Sequence, residues 1–379
     1  MSSNLPSPFA KADPTLPIKE GAPPIMRPTK EEIAGFPAEA QALLDSNWAA
    51  QEAHLETGMY DLSWLEGRHV LLAGATGPGL GGAFATAILG TNSVASVTVL
   101  GRDLKRSINF ETGKAMQAQA DAAGFGDRFQ WLNEGMAMEG KPLQNILEAL
   151  KNAGADRVVY FNTVAAAISG LLPSLPPVFV KDVNEEGLFQ WQLKALNDQE
   201  INITKFVMGE MAVQFPQVLE DNGIKVDAAV FADWRGSLDK VSRDPNQREY
   251  GRNGSYSTSL YLPKDILQEA TRASYDSDRL VMDIFYPMMR TRALPFIPGG
   301  MTIANVNEKL MELEGIRRLD VPELALGGLD KVGKALTAGY DNPFPRMDSH
   351  DSHLDEWLFE ILARLNNNES SDFYYKRWV

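Results

Sequence analysis

The chain of 379 residues contains no cysteine and only four histidines. The first absence excludes disulfides, thiolate metal ligands and a cysteine nucleophile, and it favours a reducing, cytoplasmic setting. The second leaves one pair, His350 and His353, near ligand spacing; within Asp348–His353 it reads as a polar loop before a helix, so no metal is expected. No apolar run approaches the roughly 18 residues of a membrane span, and residues 1–27 lack the basic start and apolar core of a targeting segment. A soluble protein without a membrane partner is expected. Basic residues are also scarce: 36 Lys and Arg against 50 Asp and Glu give a formal charge of −14. That balance argues against nucleic acid as a partner, since a phosphate backbone requires a basic face. Any polyanion must be met locally, by Arg235, Arg243, Arg248 and Arg252 in one segment or Arg290 and Arg292 in another. A phosphate loop with its lysine and a nucleophile elbow for a serine triad are missing too.

What is present lies between His69 and Arg102. A short apolar segment, residues 70–73, runs into Gly74-Ala75-Thr76-Gly77-Pro78-Gly79-Leu80-Gly81-Gly82, then an Ala-rich helical run, then a second strand over 95–100 ending at Gly101-Arg102. Strand, glycine turn, helix and strand in this order make a dinucleotide-binding unit, because the turn lets a pyrophosphate approach backbone N–H groups at a helix N-terminus. Around it the pattern predicts helices over 29–56, 103–123, 142–152, 194–221, 263–274, 305–314 and 321–336, and strands over 129–132, 157–161, 226–231 and 280–285. Residues 165–177 read as an apolar loop or short helix lining a cleft, and 233–254 as a polar loop. Alternating strands and helices predict an α/β fold, a doubly wound parallel sheet of Rossmann type with helical N- and C-terminal extensions. The expected division is a tail and helical extension over 1–66, a dinucleotide-binding domain over 67–336 and a C-terminal extension over 337–379.

Several segments together resemble the short-chain dehydrogenase/reductase superfamily, most of all the ketoreductase domain of fungal-type fatty acid synthases. The glycine segment is similar to that domain's turn, and Gly101-Arg102 to the Ser-Arg that ends its second strand. Asn133-Glu134-Gly135 resembles Asn-Gln-Gly after the third strand, and Phe161-Asn162-Thr163-Val164-Ala165 the exit of the fourth. Ile201-Asn202-Ile203 looks like the Asn-bearing turn of the central helix, and residues 287–291 like the loop whose threonine contacts the carboxamide. The resemblance implies a nicotinamide cofactor held by Gly74, Thr76, Gly77, Gly79, Leu80, Gly81, Arg102, Asn133, Asn162 and Thr291. An arginine at position 102 can pair with a 2′-phosphate, which favours NADPH over NADH. It also implies reduction of a carbonyl or enoyl group of a small-molecule substrate, an acyl-CoA or acyl carrier protein thioester, by a homo-oligomer.

Gly254-Ser255-Tyr256-Ser257-Thr258-Ser259-Leu260 is similar to the family's Gly-Met-Tyr-Ser-Glu-Ser-Lys and sets Tyr256 in the place of the proton-donating tyrosine. Leu260 stands where the lysine belongs. Lys264, eight residues beyond Tyr256 and read here as projecting from a helix that starts at Pro263, is the candidate replacement. Trans-2-enoyl thioester reductases also separate the pair by more than one turn. Ser237 is the candidate orienting hydroxyl and Asn202 the holder of a relay water; Tyr250, thirteen residues after Ser237, is the rival acid. The missing lysine keeps open a nucleotide-binding regulatory or assembly subunit without turnover, and a non-reductive member of the superfamily.

Overall fold

The computed structural model describes residues 30–75, 79–101, 109–164, 179–183, 189–193, 198–234, 251–275, 278–287, 289, 308, 311–313 and 315–347. Among the described residues eight strands are formed: β1 (His69–Ala73), β2 (Ser96–Leu100), β3 (Phe129–Leu132), β4 (Arg157–Asn162), β5 (Phe179–Val183), β6 (Phe189–Leu193), β7 (Lys225–Trp234) and β8 (Leu280–Tyr286). The helices are α1 (Lys30–Glu56), α2 (Leu80–Gly90), α3 (Asn109–Ala122), α4 (Gly140–Asn152), α5 (Asp198–Lys205), α6 (Met211–Asp221), α7 (Gly251–Ala273) and α8 (Val321–Ala338).

Six strands pair in the order β3-β2-β1-β4-β7-β8, every pair parallel. Burial on both faces explains their near-continuous apolar sequences. Successive side chains divide between two cores. Val70, Leu72, Val159, Phe161, Val230 and Ile284 face α2, α3 and α8, whereas Leu71, Ala73, Tyr160, Ala229 and Phe231 face α4, α6 and α7. That is the doubly wound arrangement the sequence pattern predicts. One residue breaks the alternation: Val158 pairs with Val226 but Val159 with Ala228, so Asp227 is extra. Its carboxylate is held by Arg157 at 2.6 Å and Arg68 at 3.3 Å, which fixes the bulge at the amino edge of the sheet.

Three segments depart from the sequence expectation. Both ends of the segment read as a polar loop are regular structure, since β7 continues through Trp234 and α7 starts at Gly251. Consequently Pro263 is not a first helical residue but lies inside α7, so Lys264 does not project from a helix start. The long central helix begins at Asp198 among the described residues and is interrupted by a π-helical stretch, Phe206–Glu210, between α5 and α6. Finally, β5 and β6 form an antiparallel hairpin absent from the sequence expectation.

Helix α1 packs on α2, α3 and α8. Its Gln51 amide donates to the Ala83 carbonyl at 2.7 Å and its carbonyl accepts from the Thr86 hydroxyl at 2.7 Å, so a buried glutamine is satisfied from both ends. After α8 the chain returns along β8, where Asp283 and Phe285 donate N–H bonds to the carbonyls of Pro343 and Pro345. Where α1 and α8 meet, Glu323 accepts a bidentate pair from Arg317 at 2.6 and 2.8 Å and a hydroxyl from Tyr60 at 3.1 Å. His54, Asp320 and Glu323 bring ligand-type atoms within 4.8 Å of one another, but Arg317 already engages both Glu323 oxygens, making this an ion-pair network.

Arg317's hydrogen bonds hold the Glu323 carboxyl below the usual carboxylate range, while burial, followed by the neighbouring Glu323 charge, pushes Tyr60 up to about 12. A lowered folded-state value means that this glutamate contributes stability above the ordinary carboxylate pKa and loses it as pH falls through the folded value. Glu323→Gln is therefore expected to cost about 1 kcal/mol at neutral pH, the exposed Arg317 limiting the loss, and to flatten the acid limb of a stability–pH curve. Urea melts from pH 7 to pH 3 check both parts.

Candidate functional site

The carboxyl edge of the parallel sheet gathers most of the described candidates. Strand order reverses between β1 and β4, and ligands of open α/β sheets sit in the crevice outside the strand ends at such a reversal. Ala73 is level with Asn162, and Asn162 with Phe231, so Gly74, Asn162 and Asp233 all belong to this edge.

Gly74 leaves β1 at φ +82°, a conformation that L side chains rarely adopt, and its N–H bonds the Leu100 carbonyl. A Cβ there would lie 2.7 Å from the Val164 nitrogen, so the exit of β4 closes over the turn. Thr163 clasps that contact by bonding the Ala73 carbonyl twice, through its N–H at 2.9 Å and its hydroxyl at 3.0 Å. Asn162 is buried, and its side-chain carbonyl accepts the Val164 N–H at 3.1 Å. At the other end of the turn, Gly79 is an extended N-cap to α2 without a side-chain capping bond, and the first turn holds no acidic residue. The N–H groups of Leu80, Gly81 and Gly82 precede the first i→i−4 bond, made by Ala83 to the Gly79 carbonyl. Gly81 packs closely as well, since a Cβ would meet the Thr163 hydroxyl at 2.5 Å and Ala75 Cα at 2.7 Å. An uncapped helix start without negative side chains, with Gly74 and Gly81 both packed against the exit of β4, fits a diphosphate.

Asn133 is exposed in the turn after β3, next to Glu134, which accepts a 2.7 Å bond from Asn145 of α4. Asn202 is exposed on α5, one turn before the π-helical stretch. Tyr256 and Lys264 share α7, with the eight-residue spacing corresponding to about 12 Å along the axis. Thr76, Gly77, Arg102, Ser237, Tyr250 and Thr291 lie outside the described residues, as do His350 and His353.

Asp233 has no place in the sequence expectation. Its side chain is 1 % exposed, and it forms an ion pair with Lys264 across 31 residues of sequence. An aspartate closing the apolar run Ala228-Ala229-Val230-Phe231-Ala232 was the available signal, since buried carboxylates require partners. Thr163, visible in the sequence beside Asn162, likewise proves to be the clasp of the glycine turn.

No protein-family model matches this chain, and neither does any curated protein. Solved structures do. The trans-2-enoyl-CoA reductase of Clostridium acetobutulicum in complex with NADH superposes with TM-score 0.57 at 14 % identity, over 88 % of this chain and 86 % of that one. The trans-2-enoyl-CoA reductase of Treponema denticola in complex with NAD gives 0.55 at 14 % identity, over 89 % and 86 %. No helix among the described residues is long and apolar enough to cross a membrane. At such identities the likeness concerns architecture, and with the sheet order it establishes a doubly wound, Rossmann-like α/β fold.

Proposed function

We propose that this protein is an NADPH-dependent reductase of the short-chain dehydrogenase/reductase type, acting on a carbonyl or enoyl group of an acyl thioester. The observation that carries the reading is the shared carboxyl edge: the close-packed backbone of Gly74 and of Gly79 to Gly81 opening α2, and the Lys264 amine at the same edge of the sheet. Thr76 and Gly77 complete the glycine turn as a diphosphate cradle, Arg102 and Asn133 serve the adenosine end, and Asn162 and Thr291 the nicotinamide end. Hydride delivery to the substrate carbon leaves charge developing on oxygen. Tyr256 donates its phenolic proton there, Ser237 orients the same oxygen, and the phenolate recovers a proton through Lys264 or a water held by Asn202. The domain limits follow the dinucleotide-binding reading, 67–336 between the two extensions. A homo-oligomer working in the cytoplasm on CoA or carrier-protein thioesters completes the proposal.

The test is direct. NADPH should quench tryptophan fluorescence on binding, and its absorbance should fall with 3-oxoacyl or trans-2-enoyl thioesters. Tyr256→Phe should lower kcat by about 10²–10⁴ while leaving nucleotide binding intact. Failure to bind either pyridine nucleotide refutes the reading. Leu260 in the lysine position specifically favours a second one, a nucleotide-binding subunit without turnover; saturable binding without oxidation of NADPH would establish it.

A further inference from the structure

The carboxyl edge holds a buried acid that the proton relay above does not use. Asp233 extends two residues beyond the level of Asn162, on the face of β7 that Phe231 presents to α7. The Lys264 amine meets its Oδ1, and the Gln268 side-chain amide approaches its Oδ2 at 3.4 Å, so α7 brings two donors one turn apart to one carboxylate. Lys264 is only 13 % exposed. Ion pairs this deeply buried give little net stability over an apolar pair of similar volume, so packing alone does not explain the pair.

The backbone beneath the lysine is fixed as well. Gly209, in the π-helical stretch, approaches so closely that a Cβ would lie 2.9 Å from Pro263 Cα and 3.0 Å from its carbonyl oxygen. Pro263 has no N–H to complete the preceding helical turn. Lys264 is thus anchored at its root by the Gly209–Pro263 contact and at its tip by Asp233. A lysine stem is otherwise freely rotating, and an amine that must act at one point benefits from such restraint.

We propose that Asp233 is a positioning residue that holds the Lys264 ammonium at the mouth of the site, the pair taking over the work of the lysine absent at position 260. The catalytic half of this inference rests on the reductase reading; the holding half does not.

Two readouts separate them. Reductive methylation followed by peptide mass spectrometry should label Lys264 at least tenfold more slowly than exposed Lys151 in the unmodified protein; Asp233→Asn should bring the two rates together and Asp233→Glu should keep them apart. In turnover, Asp233→Asn should lower kcat about 100-fold, the scale of a small misplacement, with KM for NADPH within about threefold. Asp233→Glu should restore at least a tenth of kcat, and Lys264→Ala should add little to Asp233→Asn, because paired residues are not additive. If Asp233→Asn does not fold, Asp233→Leu combined with Lys264→Met leaves no unpaired charge and should fold with kcat no higher than Lys264→Ala. Unchanged labelling in Asp233→Asn overturns the holding role. Labelling that changes while kcat does not, or losses that simply add, overturns the catalytic role. A wild-type protein without turnover that keeps the labelling contrast refutes the reductase reading and the catalytic half, and upholds the holding role.

Discussion

Gly74→Ala is expected to abolish nucleotide binding and to destabilise the fold by about 3 kcal/mol or more. Two independent costs act at this position. The φ of +82° is strained for any side chain, and the new methyl would lie 2.7–2.9 Å from three backbone atoms of Thr163 and Val164, which do not move as a flexible side-chain end does. Relief requires the exit of β4 to shift away from β1. That shift breaks the two hydrogen bonds that Thr163 donates to the Ala73 carbonyl and displaces Asn162, so the loss extends across the strand reversal where the nucleotide is proposed to bind. Thermal melts read the first cost and fluorescence titration with NADPH the second. Near-normal stability together with normal affinity would show that the turn is not the cradle described.

The glycine turn and the strands around it were legible in the sequence because they are local. Residues 70–73 are an uninterrupted apolar run and 95–100 a short β-branched one broken only by Ser96 and Thr98, as strands buried on both faces allow, and the glycine segment lies between them. The strands expected over 129–132 and 157–161 are found too, the second one residue longer. Local pattern failed where tertiary contact overrides it. Proline is well suited to a helix start, so Pro263 read as one; the structure places it inside α7, where Gly209 of another helix packs on its backbone. The π-helical stretch at Phe206–Glu210 leaves no mark in an apolar period, whereas the β5–β6 hairpin had a signal that was passed over, five residues with Asn184 and Gly187 between its two strands. Among the candidate site residues, Gly74, Gly79, Leu80, Gly81 and Asn162 come together at one edge. Lys264 does too, but in a pair with Asp233 that no spacing rule announces, because its partner comes from a strand 31 residues away.

Gly328→Ala should change sign with the residue at position 286. Gly328 lies in α8 where that helix crosses the sheet, and a Cβ would fall 2.1 Å from the hydroxyl of Tyr286. In the native background the methyl overpacks a site already filled by the contact between Tyr286 and Phe84, whose ring centroids are 6.3 Å apart, and a loss of about 2 kcal/mol is expected. The Tyr286 hydroxyl is buried with no hydrogen-bond partner among the described residues, and burial raises its pKa. Tyr286→Phe should consequently be neutral or stabilising by about 1 kcal/mol, since it removes a polar atom that burial has stripped of water. With the hydroxyl gone, the nearest atoms to the new methyl are the Cζ atoms of Phe84 and of residue 286, both at 3.3 Å. The methyl then needs only a small adjustment, and replacing a helical glycine by alanine gains about 1 kcal/mol from backbone entropy. The double variant should be at least as stable as the native protein, with a coupling of about 2–3 kcal/mol between the two positions. Chemical denaturation of the four proteins measures that coupling, and additive effects would mean that the helix is not seated on the tyrosine as the geometry requires.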